Sequence, residues 1–112
     1  MLSNVDRELL EPVLDALGRP FGLVLTASEI GAYKPDPRCF EALHPGHRER
    51  HPDRHPSCCA QSRHHDIAPA RASGMRTVWI RRRGRPGAVP PSAAVADFAL
   101  DSLADLAKAL GA

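Results

Sequence analysis

The stretch Ala60–Arg82, AQSRHHDIAPARASGMRTVWIRR, decides the fold of this sequence. From Asp66 to Ser73 it is rich in Ala around Ile67, which predicts a helix that stops at Gly74. Arg76–Ile80, RTVWI, follows at once as a run of β-branched and aromatic residues, which predicts a buried strand. Working outward, Arg81–Pro91 is a loop of Arg, Gly and Pro, and a short strand is expected around Phe98–Leu100. A helix over Ser102–Leu110 closes the sequence, with Ser102 as its N-cap and Asp105 in its first turn. On the other side, Leu9, Leu10, Val13, Leu14 and Leu17 mark one helical face between Asp6 and Gly18. Pro12 inside that face predicts a start near Glu11 or a kink. A buried strand is expected over Phe21–Leu25, and Asp36 with Pro37 opens a helix through Cys39, Phe40 and Leu43. Helices alternating with strands predict an α/β fold with a parallel sheet.

Composition narrows the function classes. The 112 residues are 43% apolar and 25% charged, as in an ordinary globular domain. A formal charge of +2 does not call for nucleic acid, and Arg81, Arg82, Arg83 and Arg85 have no interleaved aromatic residues for base stacking. No run approaches the roughly 20 apolar residues of a membrane helix. Three Cys, two of them adjacent, do not make a disulfide framework, so the expected location is the cytoplasm.

The segment 44–59, HPGHRERHPDRHPSCC, breaks the pattern. It has no Leu, Ile, Val or Phe, so an irregular segment that cannot supply a sheet strand is expected. A slip of reading frame is one account of it, since the shifted frame permits Ile-Leu-His-Val-Ala over His55–Cys59. Another keeps the residues as a transition-metal site built from His44, His47, His51, His55, Cys58, Cys59, His64 and His65, although the spacing matches no closed Cys/His site. That is the alternative function: a metal-binding or interaction module without catalysis.

Four pieces together resemble the haloacid dehalogenase superfamily, in particular its L-2-haloacid-dehalogenase-like branch. Leu2–Asp6, LSNVD, is similar to the second motif, and Gly31–Phe40, GAYKPDPRCF, resembles the third. Ala60–Arg82 is similar to the fourth motif with its helix and strand, and Asp97–Leu110 to the closing strand and helix. The resemblance implies a Rossmann-like core and hydrolysis through a covalent aspartyl ester of a small-molecule substrate. It implies that Ser3 and Asn4 hold the substrate's oxygens, that Lys34 is a fixed cation beside the nucleophile, and that Asp66 is the acid that orients Lys34 or water. Each has a plainer reading as well: Ser3 as a turn cap, Lys34 as a solvated side chain, and Asp66 as an N-cap.

The sequence also departs from the family. The nucleophilic Asp-x-Asp at the end of a first, central strand has no counterpart among these residues, and neither does a cap domain. The expectation is therefore one partial core over 1–112, loosely packed and inactive alone, or one half of an enzyme whose other half is a separate chain. Gln61 stands where phosphatase members carry an Asp, and Arg63 where dehalogenases carry an Asn. The resemblance thus implies chemistry without a cofactor, with Mg²⁺ at Asp66 only if the intact enzyme works as a phosphatase.

Overall fold

In the computed structural model, which describes residues 1–82 and 90–111, every strand pairing is parallel. The described chain divides into two compact units, Met1–Arg54 and His55–Ala112, where the sequence predicted one partial core. The boundary falls inside the His/Pro/Arg segment. Residues 83–89, with Arg83 and Arg85, lie outside the described residues.

The first unit holds β1 (Leu2–Ser3), α1 (Arg7–Ala16), β2 (Leu25–Thr26), α2 (Ala27–Ile30), α3 (Pro37–Glu41) and α4 (Leu43–Arg50). α1 buries Leu10 and Leu14 and runs straight through Pro12 rather than starting at Glu11. Pro12 lies on the exposed side, where the Glu8 carbonyl it leaves unbonded is open to water. The predicted strand over Phe21–Leu25 shrinks to Leu25–Thr26, because β1 offers only Leu2 and Ser3 as partners and a strand lasts only as long as its ladder. Thr26 is fully buried and opens α2 through a capping box with Glu29. Arg7 ties Glu29 from outside, and its hydrogen bond is the main reason that carboxyl titrates below its ordinary range. Asp36 caps α3 as predicted, accepting from the Arg38 amide at 2.9 Å, and α3 buries Cys39 and Phe40.

The segment 44–59 is irregular only over 51–56, and this corrects the sequence reading. Leu43–Arg50 is helical, with Pro45 in the first turn, where its missing N–H has no intrahelical partner to lose. His47, Arg48 and Arg50 sit in the last turn, where positive charge suits the helix dipole. The helix has no buried residue and docks through a small one: a Cβ on Gly46 would stand 2.7 Å from the Leu23 side chain. Ser57–Ala60 then forms β3, the strand that the segment was expected to be unable to supply. Its residues are short and uncharged. Pro56 lies just outside the strand and contributes only its carbonyl, which accepts from Arg76 at 3.1 Å. The strand therefore forms from the residues as written, and a frame slip is not needed to explain it.

The second unit holds β3, a π-helical turn (Arg63–Ile67), α5 (Ala68–Ala72), β4 (Arg76–Ile80), β5 (Phe98–Leu100) and α6 (Leu103–Ala109). β4 is the middle strand, in the order β3-β4-β5, and Ser57 pairs with Arg76 while Val78 pairs with Phe98. The predicted helix from Asp66 is replaced by the π turn and a short α-helix. Its N-cap is Ser62, whose Oγ accepts from the His65 amide at 3.0 Å, so Asp66 lies inside the turn rather than at its cap position. Gly74 ends α5 at φ +81°, a conformation that a side chain disfavours. Ile67, Ala70, Met75 and Ile80 form the buried set. Ser102 caps α6 as predicted, accepting from the Asp105 amide at 3.1 Å.

A polar clasp fastens the start of β5 to β4. Thr77, fully buried, donates its amide (2.8 Å) and its hydroxyl (3.0 Å) to Asp97, and the hydroxyl accepts from the Asp97 amide at 3.1 Å. The Thr77 amide, then its hydroxyl and Arg71, hold the Asp97 carboxyl below its ordinary range. A depressed carboxyl stabilises the fold above its unfolded pKa of about 3.9 and ceases to do so as pH falls through the lower folded value. Thermal melts followed by circular dichroism between pH 7 and pH 2 are expected to show a steep acid limb that Asp97→Asn flattens. In the first unit, Phe40 is 1% exposed, so Phe40→Ala is expected to cost about 3–5 kcal/mol in urea unfolding.

Candidate functional site

In the first unit the second and third motifs meet. β1 ends at Ser3, and Asn4 turns its carboxamide onto the backbone of Lys34, thirty residues later. Asn4 Oδ1 accepts from the Lys34 amide at 2.8 Å, and Asn4 Nδ2 donates to the Lys34 carbonyl at 3.2 Å. Lys34 then reaches back, Nζ donating to the Leu2 carbonyl at 3.4 Å. The Lys34–Pro35 peptide bond is cis, and Asp36 follows as the cap of α3. Arg38 holds the Asp36 carboxyl, through its guanidinium first and its amide second, and keeps it ionised below the usual carboxylate range. Lys34 is therefore half-buried at the carboxyl end of a parallel strand rather than a solvated side chain.

The structure thus brings Ser3, Asn4 and Lys34 together, with a different division of labour from the one the motifs implied. Ser3 Oγ accepts from the Val5 amide at 3.0 Å, which is the turn-cap reading. Asn4 has both ends of its amide on the Lys34 backbone, so it is a positioning residue for the cation. The signal for that was present: an Asn immediately after a strand is suited to bonding a backbone segment at two points.

Asp66 lies in the second unit, half-buried in the π turn that follows β3. Around it are residues that the motif reading did not assign a structural part. Ser62 caps the turn, and its hydroxyl also lies 3.1 Å from His65 Nδ1. The Gln61 carbonyl accepts from Trp79 Nε1 at 3.0 Å, while its side-chain amide donates to the Arg82 carbonyl at 3.3 Å. Arg63 lies over the indole of Trp79, its guanidinium carbon 4.6 Å from the ring centroid.

These residues do not suit Mg²⁺. A hard dication prefers several carboxylate or carbonyl oxygens. The turn offers Asp66 as its only carboxylate, a neutral amide at Gln61, and a guanidinium at Arg63 three positions from the acid. The His-rich segment does not gather into a metal site either. His47 Nε2 lies 2.8 Å from the Arg54 carbonyl, and His55 Nδ1 lies 3.2 Å from that of Pro56. Among the described residues no group of three or more His, Cys, Asp or Glu is placed to hold a metal ion. No helix among them is long and apolar enough to cross a membrane.

No protein-family model matches the sequence, and no curated protein matches it. Solved structures do. An L-2-haloacid dehalogenase is 30% identical with a TM-score of 0.68, over 97% of this chain and 48% of the other. A HAD phosphatase from Thermococcus onnurineus is 28% identical with a TM-score of 0.62, over 91% of this chain and 46% of the other. The HAD-hydrolase YfnB from Bacillus subtilis, solved bound to magnesium, is 18% identical with a TM-score of 0.72 and shares the fold over 99% of this chain and 47% of the other. The chain spans about half the length of the solved structures it matches. By the parallel α/β architecture, the order of its motifs and these likenesses, the chain belongs to the haloacid dehalogenase (HAD) superfamily and corresponds to a part of its core.

Proposed function

We propose that these residues are the cation-bearing and acid-bearing part of a HAD hydrolase core that cleaves a small substrate through an aspartyl ester. The observation that carries the reading is the double hydrogen bond from Asn4 to the Lys34 backbone. Two bonds from one planar amide fix both the position and the direction of the Lys-Pro-Asp loop. A cation so placed meets developing negative charge without first having to reorganise, which is where electrostatic catalysis draws its advantage. In this reading Lys34 faces the nucleophilic carboxylate, Asn4 positions Lys34, Ser3 helps to hold the substrate's oxygens through its hydroxyl, and Asp66 is the acid that orients Lys34 or the hydrolytic water.

None of the Asp residues here stands in an Asp-x-Asp at the end of an apolar strand. We assign the nucleophile to residues outside these 112, either on the same polypeptide or on a second chain that completes the core. These residues alone then bind and position but do not turn over. Between the two chemistries, the single carboxylate at Asp66 and the guanidinium at Arg63 favour metal-free dehalogenation over Mg²⁺-dependent phosphatase work. The substrate class is then a small 2-haloacid. Asp66 would hold Mg²⁺ only in the phosphatase case.

Halide release from an L-2-haloacid tests this. The 112-residue chain alone is expected to show none. Mixing it with a polypeptide spanning the unmatched half of the similar L-2-haloacid dehalogenase, Asp-x-Asp strand and cap included, is expected to restore turnover without added metal. Lys34→Ala should abolish the restored activity, and Asn4→Ala should lower kcat on the order of a hundredfold by letting the cation drift. A restored enzyme that tolerates Lys34→Ala, or that needs Mg²⁺, sinks the assignment.

A further inference from the structure

Arg63 is the residue whose chemistry the reading above leaves unused. It follows directly after the Ser62 cap, at the carboxyl end of β3, where ligands sit in open parallel sheets. Its guanidinium lies over the ring of Trp79, 4.6 Å from the centroid. That ring is itself fixed, by the register that pairs Trp79 with Ala60 and by the bond from Nε1 to the Gln61 carbonyl at 3.0 Å. A guanidinium over an aromatic ring is held by cation–π attraction and keeps its full charge and its N–H donors.

Arg7, Arg19, Arg38, Arg71 and Arg81 each pair with a carboxylate of this chain, whereas Arg63 has an aromatic ring for its neighbour. Among the described residues no carboxylate forms an ion pair with Arg63. A half-buried cation over an aromatic ring, with no hydrogen-bond acceptor on its N–H groups among the described residues, is arranged to bind an oxyanion in the two-point geometry that guanidinium favours.

We propose that Arg63, spread over the Trp79 indole, is a receptor for a small oxyanion. Its identification with the carboxylate or phosphate group of the substrate rests on the hydrolase reading; binding of the anion does not. The receptor supplies the positive charge that a divalent ion would bring to a phosphate ester or that a neutral amide would leave out of a haloacid site. It also confines the substrate to molecules carrying a free anionic group next to the reacting bond.

Trp79 is the only Trp in the chain and reports on its own stacking partner. The experiment titrates the 112-residue protein with sodium acetate and with inorganic phosphate, following Trp79 emission against sodium chloride at equal ionic strength. A saturable change beyond that of chloride is expected. Arg63→Gln should weaken it about tenfold or more, and Arg63→Lys, which keeps charge but loses the planar fork, should weaken it less. Near-UV circular dichroism establishes that each variant is folded, and if Arg63→Gln is not, Arg63→Lys carries the comparison. Stronger binding of acetate identifies a carboxylate-bearing substrate, and stronger binding of phosphate a phosphate ester. No response beyond chloride, or a response that the folded variants keep in full, overturns the proposal. Restored turnover and anion binding are read separately, so loss of turnover with binding intact rejects the hydrolase reading and leaves the Arg63 receptor standing.

Discussion

Two hydrogen bonds from one side chain govern the candidate site of the first unit. β1 is two residues long, and so is the strand it pairs with, which leaves the ladder too short to aim anything that follows it. The Lys-Pro-Asp loop begins thirty residues after Asn4 in sequence and has no strand of its own. Asn4 closes that distance by accepting from the Lys34 amide and donating to its carbonyl, so the loop is held at the point where its cation begins. A carboxylate in that place has no donor for the carbonyl, and a hydroxyl would have to reach the amide and the carbonyl from a single oxygen, where the carboxamide offers two separate atoms. The direction of the Lys34 side chain is therefore set by the chemistry of a carboxamide, and the capped helix that follows makes the far end of the loop equally firm.

Where local signals and tertiary demands agreed, the sequence was readable. Asp36 before Pro37 and Ser102 before a run of apolar residues both cap the helices they were expected to cap. RTVWI is the strand it resembles because Thr77, Val78 and Ile80 gain from burial at the middle of a sheet. The errors have a common cause, which is that a strand or helix is made by its neighbours as much as by its residues. Phe21–Val24 is apolar enough for a strand but has no partner beyond the two residues of β1. Ser57–Ala60 has little β-propensity, yet β4 offers it a full ladder, and four short side chains meet no obstacle there. α4 is polar all round and would be rejected on periodicity, but its proline falls in the first turn and its positive charge in the last.

At the candidate site, type was legible and role was not. Asn4, Lys34 and Asp66 were picked out by resemblance to motifs, and a motif cannot say which atoms of a residue are already engaged. Asn4 lies at the expected position but holds backbone, and Ser3 has its oxygen on the Val5 amide. The second unit shows the same limit from the other side. In the motif Gln61 and Arg63 are only departures from a pattern. The structure gives the Arg63 guanidinium a place over Trp79 and the Gln61 side chain the Arg82 carbonyl, while the Gln61 backbone carbonyl anchors the indole.

The two departures in the fourth motif are physically linked. Replacing a carboxylate by the amide of Gln61 removes a negative charge from the turn, and placing Arg63 two residues later adds a positive one. Either change alone would weaken a dication site; together they leave Arg63 and Asp66 balancing each other where the family pattern is net negative. A guanidinium exposed to water would lose much of its attraction for an anion to screening, but Arg63 is half-buried over the Trp79 ring, which shields it without neutralising the charge. In the reading proposed for Arg63, its guanidinium meets an anion directly rather than through a metal. The turn between β3 and α5 thus differs from the family pattern in charge, while Lys34 and Asp66 stand where that pattern has its lysine and its acid.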